Sequence, residues 1–476
     1  MNPRHRITAL IVASALFMQS LDTSALGTAL PAIGVAFGED PVRLHHALTA
    51  YILALAVFMP ASGWMADRFG TRTMFRIAVV VFAGASVACA FAGSLGPLVA
   101  ARVVQGIGGA MMVPIARLAL LRAVPKGEIV RAMQWVSIPA LVAPVAGPPL
   151  SGFIVTYLDW TWIFWINLPI GIVGIVLASI YFEDVREPDQ PKFDLLGFLI
   201  ASVGITGLVA GTGSVSDPEI PTWMTIALLG VAAACAGLYL VHARRAASPI
   251  IDLALLRIPT FRASIAGGFL FRIGIGAFPF LMPLMLQTSF GRSPLESGSI
   301  TFAAAAGALA MKFGTQPLLA RFGFRPVLVW NGLFSAASIG ACALFGPATG
   351  ASVIFAVLLI GGTFRSLEFT ALNAIGYAEL DRGQMSRATS FAAMGQQLAL
   401  SMGVGIGALA LSVGQMARGA DALALIDFRL AFATVGLIML LSLTEFLRLA
   451  PGAGAEVAGR AQSVGGDKRH PSDTRT

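Results

Sequence analysis

Two carboxylates, Asp22 and Glu368, lie well inside long apolar stretches, and five cations, Arg102, Arg117, Arg272, Lys312 and Arg365, share such stretches. An ionised side chain held away from water costs several kcal/mol, so each of these groups should face a polar cavity or a partner. Asp22 has the chemistry of a proton carrier, because a carboxyl whose burial and cationic partner alternate can load and release a proton. Arg102 is the natural gate for that exchange, and Glu368 is a second proton-coupling candidate. The structural alternatives are a packing hydrogen bond from Asp22 to Thr23 or a neighbouring helix, and an Arg102 that snorkels to the nearer surface. Arg365 and Glu368 stand three apart on one helical face, so they either neutralise each other or serve a substrate. All five histidines (His5, His45, His46, His242, His470) fall at ends or loops, which excludes a histidine relay deep in the apolar stretches. Cys89, Cys235 and Cys342 stand singly in apolar runs and read as small packing residues. No spacing suits a metal site or a disulfide framework, and no cofactor is expected.

The elements that hold these groups must be helices in lipid. Of 476 residues, 57% are hydrophobic and 12% charged, with a mean hydropathy of +0.80. A soluble domain carries about 25% charged residues. Apolar runs of about 20 residues recur along the chain. Lipid tolerates no unpaired backbone group, which leaves helices or a closed barrel. The runs are long and non-alternating, unlike the roughly ten-residue alternating strands of a barrel. The fold class is therefore an all-α integral membrane protein. Turn and charge signals predict fourteen spans, near 7–36, 46–66, 74–94, 98–121, 132–157, 162–182, 194–213, 223–243, 262–288, 296–320, 326–346, 350–376, 387–413 and 428–448. The first span opens like a secretory signal, with Arg4 and Arg6 before an apolar run, but it continues past Asp22 to Val35 and reads as a retained helix. The Gly-, Ala- and charge-rich tail, 449–476, reads as disordered.

Basic residues set the orientation. Of the 32 Lys and Arg, 23 fall in segments on the N-terminal side, four (Arg43, Arg292, Arg418, Arg429) in the opposite loops, and five within spans. Both termini are therefore expected in the cytoplasm. The net charge of +8 follows from this topology and not from nucleic-acid binding.

The halves echo each other. The second span ends in Gly63-Trp-Met-Ala-Asp67-Arg68-Phe-Gly70-Thr-Arg72, and the tenth in Gly314 to Arg325 with Arg321-Phe-Gly323 at the matching place. Internal repeats of this kind build transporters with the site between the halves. The seventh and eighth spans stand outside the repeat. The division is an N-terminal six-helix bundle at 1–182, two inserted helices with linkers at 183–261, and a C-terminal six-helix bundle at 262–448. In the loop motif, glycines permit the tight turn while Asp67, Arg68 and Arg72 can pair across the face as a conformational latch. Plain positive-inside topology is the blander reading. The second copy has Ala320 where the acid should be.

These segments resemble the major facilitator superfamily, and within it the fourteen-helix drug:proton antiporters. Leu21-Asp22-Thr23 with Ala29-Leu30-Pro31 is similar to that branch's first-helix signature, and Gly63 to Arg72 to the superfamily's loop motif. Arg102-Val-Val-Gln105-Gly106-Ile-Gly108-Gly109 resembles the fourth-helix motif, and Ala143 to Gly152, with Gly147 and Pro148, the fifth-helix antiporter motif. Ala143 and Ser151 replace glycines there, yet both are small enough for close packing. Trp162 to Gly171, and Pro283 to Gln287 followed by Gly291 to Pro294, resemble further segments of the branch. Enterobacterial-type multidrug exporters are the most similar in wording. The resemblance implies a major facilitator fold whose cavity is lined by helices one, four, seven and ten of the twelve that remain when the seventh and eighth spans are set aside. Asp22, Arg102, Arg117, Arg272, Arg365 and Glu368 all map onto those helices, and Lys312 lies off them. The implied substrate cavity holds Arg117, Arg272, Lys312, Arg365 and Gln105. Phe271, Phe278, Phe280 and Trp135 line a drug site or, more commonly for such residues, pack in the core.

A proton-coupled exporter of small molecules, with multidrug efflux as its activity, follows from the resemblance. The excess of cations over acids favours, as an alternative, an organic anion such as a carboxylate or its metal chelate. A transporter-derived sensor would need a longer soluble segment than any here. An enzyme would need a convergent catalytic cluster, and an ATPase a Gly-rich phosphate loop, and neither is found. The partners are a small-molecule substrate, protons and the bilayer of a bacterial inner membrane, with no nucleic acid and a single chain as the working unit. A C-terminal reporter that is active only in the cytoplasm should be active on this chain. Activity of a periplasm-only reporter instead would mean a miscounted span.

Overall fold

Apolar helices that must satisfy their own backbone fill the computed structural model, which describes residues 2–123, 129–183, 193–215, 220–246, 249–381, 384–420, 422–455 and 457. The spans are α1 (Pro3–Phe37), α2 (His45–Phe69), α3 (Thr71–Ala90), α4 (Leu95–Ala123), α5 (Ile129–Tyr157), α6 (Trp162–Tyr181), α7 (Leu195–Ser214) and α8 (Thr222–Arg245). They continue with α9 (Pro259–Thr288), α10 (Pro294–Phe322), α11 (Phe324–Leu344), α12 (Ala351–Ile375), α13 (Met385–Arg418) and α14 (Leu425–Leu447). Twelve are long and apolar enough to cross a membrane. The other two, α5 and α10, are 29 residues each, about 43 Å at 1.5 Å per residue.

The helices outrun the apolar runs that announce them, because polar residues cap them. Asn2 accepts the Arg4 amide at 3.2 Å, starting α1 four residues early. Gly419, at φ +60°, ends α13 five residues late. Of the tail read as disordered, 456 and 458–476 lie outside the described residues.

The two copies of the loop motif take the same backbone form. Gly70 at φ +93° joins α2 to α3, and Gly323 at φ +80° joins α10 to α11, a region that favours glycine. Gly63 does not serve that turn. It lies inside α2 with open space around it, so the turn falls on Gly70 alone.

An even number of helices brings the start of α1 and the end of α14 to one face of the bundle, the terminal face. Helices α1–α6 and α9–α14 form the two six-helix halves, and α7 and α8 pair with each other beside them. The halves meet chiefly through α5 on α10 and α2 on α13. The closest of these contacts lie toward the face opposite the termini. A Cβ on Gly298 of α10 would stand 2.2 Å from the Pro148 carbonyl oxygen of α5, and one on Gly152 would stand 2.6 Å from that of Pro294. Ser401 Oγ of α13 donates to the Thr49 carbonyl at 3.3 Å, and Gln287 Nε2 of α9 to that of Thr28 at 3.0 Å. Gly147, in the same α5 motif, lies against Ser24 of α1. The antiporter motif is therefore an inter-helix contact surface on two sides. Gly298→Val should force α5 from α10, an overpacking effect of about 1–3 kcal/mol. A melting curve in detergent should shift downward by several degrees, whereas Gly340→Val, with open space at its Cβ, should not shift it.

Candidate functional site

The charge in α1 is wholly enclosed. Asp22 is 2% exposed and Arg102 of α4 is 0% exposed, and they form an ion pair at 2.5 Å. Arg102 Nη1 also donates to Gln105 Oε1 at 2.6 Å, and its Nε to the Ala47 carbonyl at 3.2 Å. Its guanidinium lies over the Tyr51 ring, with Cζ 4.1 Å from the centroid. The second carboxylate oxygen of Asp22 accepts from Gln105 Nε2 at 2.9 Å and from Asn167 Nδ2 at 3.2 Å. Both amides also donate to Ser86 Oγ, at 2.7 and 3.2 Å, while that hydroxyl donates to the Phe82 carbonyl at 3.1 Å. Every donor aimed at Asp22 is an N–H group, so both of its oxygens are left as acceptors. Arg102 does not snorkel.

Glycine lets α4 bring these groups to α1. A Cβ on Gly106 would stand 2.6 Å from the Tyr51 carbonyl oxygen, so only glycine allows α4 this close to α2. The break of α6 between Trp165 and Asn167 sets the amide at the start of the second segment. Gln105, assigned on sequence to a substrate cavity, belongs to this enclosed cluster instead.

The intramembrane charges of the second half lie apart from this cluster, and among them Arg272, Arg365 and Glu368 form no hydrogen-bonded ion pair. Arg365 and Glu368 do not pair. Arg365 Nη1 donates to Ser338 Oγ at 3.3 Å, and its Cζ stands 4.6 Å from the centroid of the Phe278 ring. Glu368, fully buried, accepts from Asn331 Nδ2 at 3.0 Å, and its other oxygen has no hydrogen-bond partner. Three residues along the helix bring Cβ atoms together, but the two heads turn to different neighbours, Arg365 to Ser338 and the Phe278 ring and Glu368 to Asn331. Arg272 of α9 donates to Asn373 Oδ1 at 2.8 Å and to the Ser264 carbonyl at 3.1 Å. Lys312 is exposed and donates to Thr370 Oγ1 at 2.8 Å, and Arg117 is exposed on α4. Phe271 and Phe280 are core residues, Phe278 faces Arg365, and the side chain of Trp135 lies outside those described. At the terminal face Asp67 and Arg72 are half-buried and Arg68 is exposed.

A family model for the Major Facilitator Superfamily matches residues 12–195 and 264–470. The chain belongs to that superfamily. It is a membrane transporter, not an enzyme, and the stretch left unmatched between the two segments carries α7 and α8. It is 38% identical over 413 residues to "Putative multidrug resistance protein MdtD" from Salmonella paratyphi A, covering 86% of this chain and 87% of that one. The Salmonella typhimurium protein of the same name matches equally. Among solved structures, an auto-inhibited POT family peptide transporter superposes with TM-score 0.66 at 13% identity, covering 98% of this chain and 99% of its own. The nucleoside transporter NupG gives 0.60 at 12% identity, covering 94% and 100%. At such identities the likeness is one of fold.

Sequence reading missed Ser86, Asn167 and Tyr51. A lone amide in an apolar helix is the usable signal, since Asn167, Asn331 and Asn373 each serve an intramembrane charge. Ser86 carries no such signal. Removing one partner strands the other: Arg102→Ala should cost about 3–5 kcal/mol, and Arg102→Ala with Asp22→Asn markedly less. Thermal melts of the two variants would rank them, and equal melts would count against the pair as a desolvated charge couple.

Proposed function

We propose that this chain is a proton-coupled antiporter of the bacterial inner membrane, with both termini cytoplasmic, that exports small molecules as a multidrug efflux pump. The observation that carries the reading is the Asp22–Arg102 ion pair, enclosed between α1 and α4 with its oxygens held by Gln105 and Asn167. A proton on Asp22 removes the charge that holds Arg102 and turns one acceptor oxygen into a donor, so the cluster must rearrange. If the halves, 1–182 and 262–448, rock as bodies about the cavity, that rearrangement ties proton movement to the change of access. Glu368 has no cation in contact and a spare oxygen, which suits a second proton carried as the neutral acid. The loop cluster of Gly63, Asp67, Arg68, Gly70 and Arg72 would serve as a latch on the cytoplasmic gate. Multidrug efflux is supported by the relatives' name. Asp22→Asn should insert, at a cost in stability from the stranded Arg102, and should lose substrate-driven proton movement, read with a pH dye entrapped in proteoliposomes of the folded fraction. Unchanged proton flux would move the coupling site to Glu368 or elsewhere.

A second reading, export of an organic anion, rests on the second half. Arg272 and Arg365 are 3% and 8% exposed, yet their hydrogen-bond partners are neutral. A buried guanidinium without a counter-ion is costly, and a carboxylate fits its fork. Arg272→Ala should weaken transport of an anionic substrate by about tenfold, or 1.4 kcal/mol, and that of a cationic dye much less. Tight binding of lipophilic cations with no affinity for di- or tricarboxylates would leave the multidrug reading alone.

A further inference from the structure

The inserted pair touches both halves, by different means at each side of α7. Toward α2, Phe198 meets Phe58 with ring centroids 5.8 Å apart, and Phe193, just before α7, meets Trp64 at 5.1 Å. Toward α13, Ile200 and Ile205 pack against the buried cluster that holds Phe391 and Met394. A clasp ties α7 to its partner: Asp194, which caps α7 through the Gly197 amide, accepts from His242 of α8 at 2.8 Å and from the Ile250 amide at 3.2 Å. The chain after α8 is fixed to α13 in turn, because Arg387 Nη1 donates to Asp252 at 2.8 Å. These contacts lie toward the terminal face, whereas α2 and α13 touch directly near the opposite one, at Thr49 and Ser401. An apolar helix between two others cannot be compressed, since packed interiors yield little.

We propose that α7 is a wedge that sets how far α2 and α13 can close at the terminal face, with α8 and its linker holding the wedge in place. The proposal rests on the alternating-access reading but not on proton coupling or on the substrate. It assigns the stretch that lies between the segments matched by the family model a mechanical role in transport.

Spin labels at Phe69→Cys and Thr389→Cys, both exposed near the terminal ends of α2 and α13, test it in full-length protein whose three native cysteines are replaced by alanine. Distances are measured by pulsed EPR without substrate and at one pH, so a failure of proton coupling leaves the readout intact. Phe198→Ala with Ile200→Ala thins the wedge, and Asp194→Ala opens the clasp. In each, the short-distance population should rise roughly five- to tenfold over the parent, within the usual range for coupling to a global two-state change. His242→Gln retains a donor to Asp194 and should keep the parent distribution where His242→Ala does not, which supplies the test if the Asp194 variant fails to fold. Distributions matching the parent in the thinned and clasp variants would overturn the proposal.

Discussion

A charge pair sealed from water governs the first half of this transporter. Once Asp22 and Arg102 lie in a bundle of apolar helices, each lone pair and N–H of the pair that is met locally offsets part of the cost of taking the charges out of water. From three helices, Gln105 and Asn167 meet the Asp22 oxygens and Ser86 holds both amides. Gly106 lets α4 pack closely on α2, and Arg102 Nη2 is left with no hydrogen-bond partner. The positions of α1, α3, α4 and α6 relative to one another are thus fixed by one set of hydrogen bonds. The second half has no equivalent. Arg272 and Arg365 there bond to neutral partners, while its ion pairs, such as Arg418 with Asp427, lie near the helix ends.

The fold was legible because lipid imposes it. Apolar runs, basic loops and two copies of a Gly-centred turn place fourteen helices with ends off by a few residues, and those errors sit where caps such as Asn2 and Gly419 extend the helix beyond the apolar stretch. The site was legible only in its charged members. Asp22 and Arg102 stand out because ions are rare in lipid. Ser86 does not, since a serine in a helix usually bonds to its own backbone, and its role depends on where α3 meets α4 and α6. Arg365 and Glu368 were open to two readings for the same reason. Spacing fixes where the Cβ atoms stand, while Ser338 and Asn331, on α11, decide where the heads turn.

The role of α7 shows what a repeat-based reading leaves out. A segment outside the repeat has no counterpart from which a role can be inferred, and its aromatic residues look like lipid-facing ones in sequence. Only the pairing of Phe193 and Phe198 with Trp64 and Phe58 shows that this helix leans on a half. In the other inserted helix, α8, only 6% of the apolar stretch is buried against the rest of the chain.

The contact of Gly298 with Pro148 has a bearing on energy conservation. Main chain lies directly on main chain there, with no side chain between them and no room for a file of water molecules. For the proton-coupled antiporter proposed above, every ion that slips through without cargo would be lost to transport. A contact of backbone on backbone is one that no rotamer change at that point can open, so it parts only when the helices themselves move.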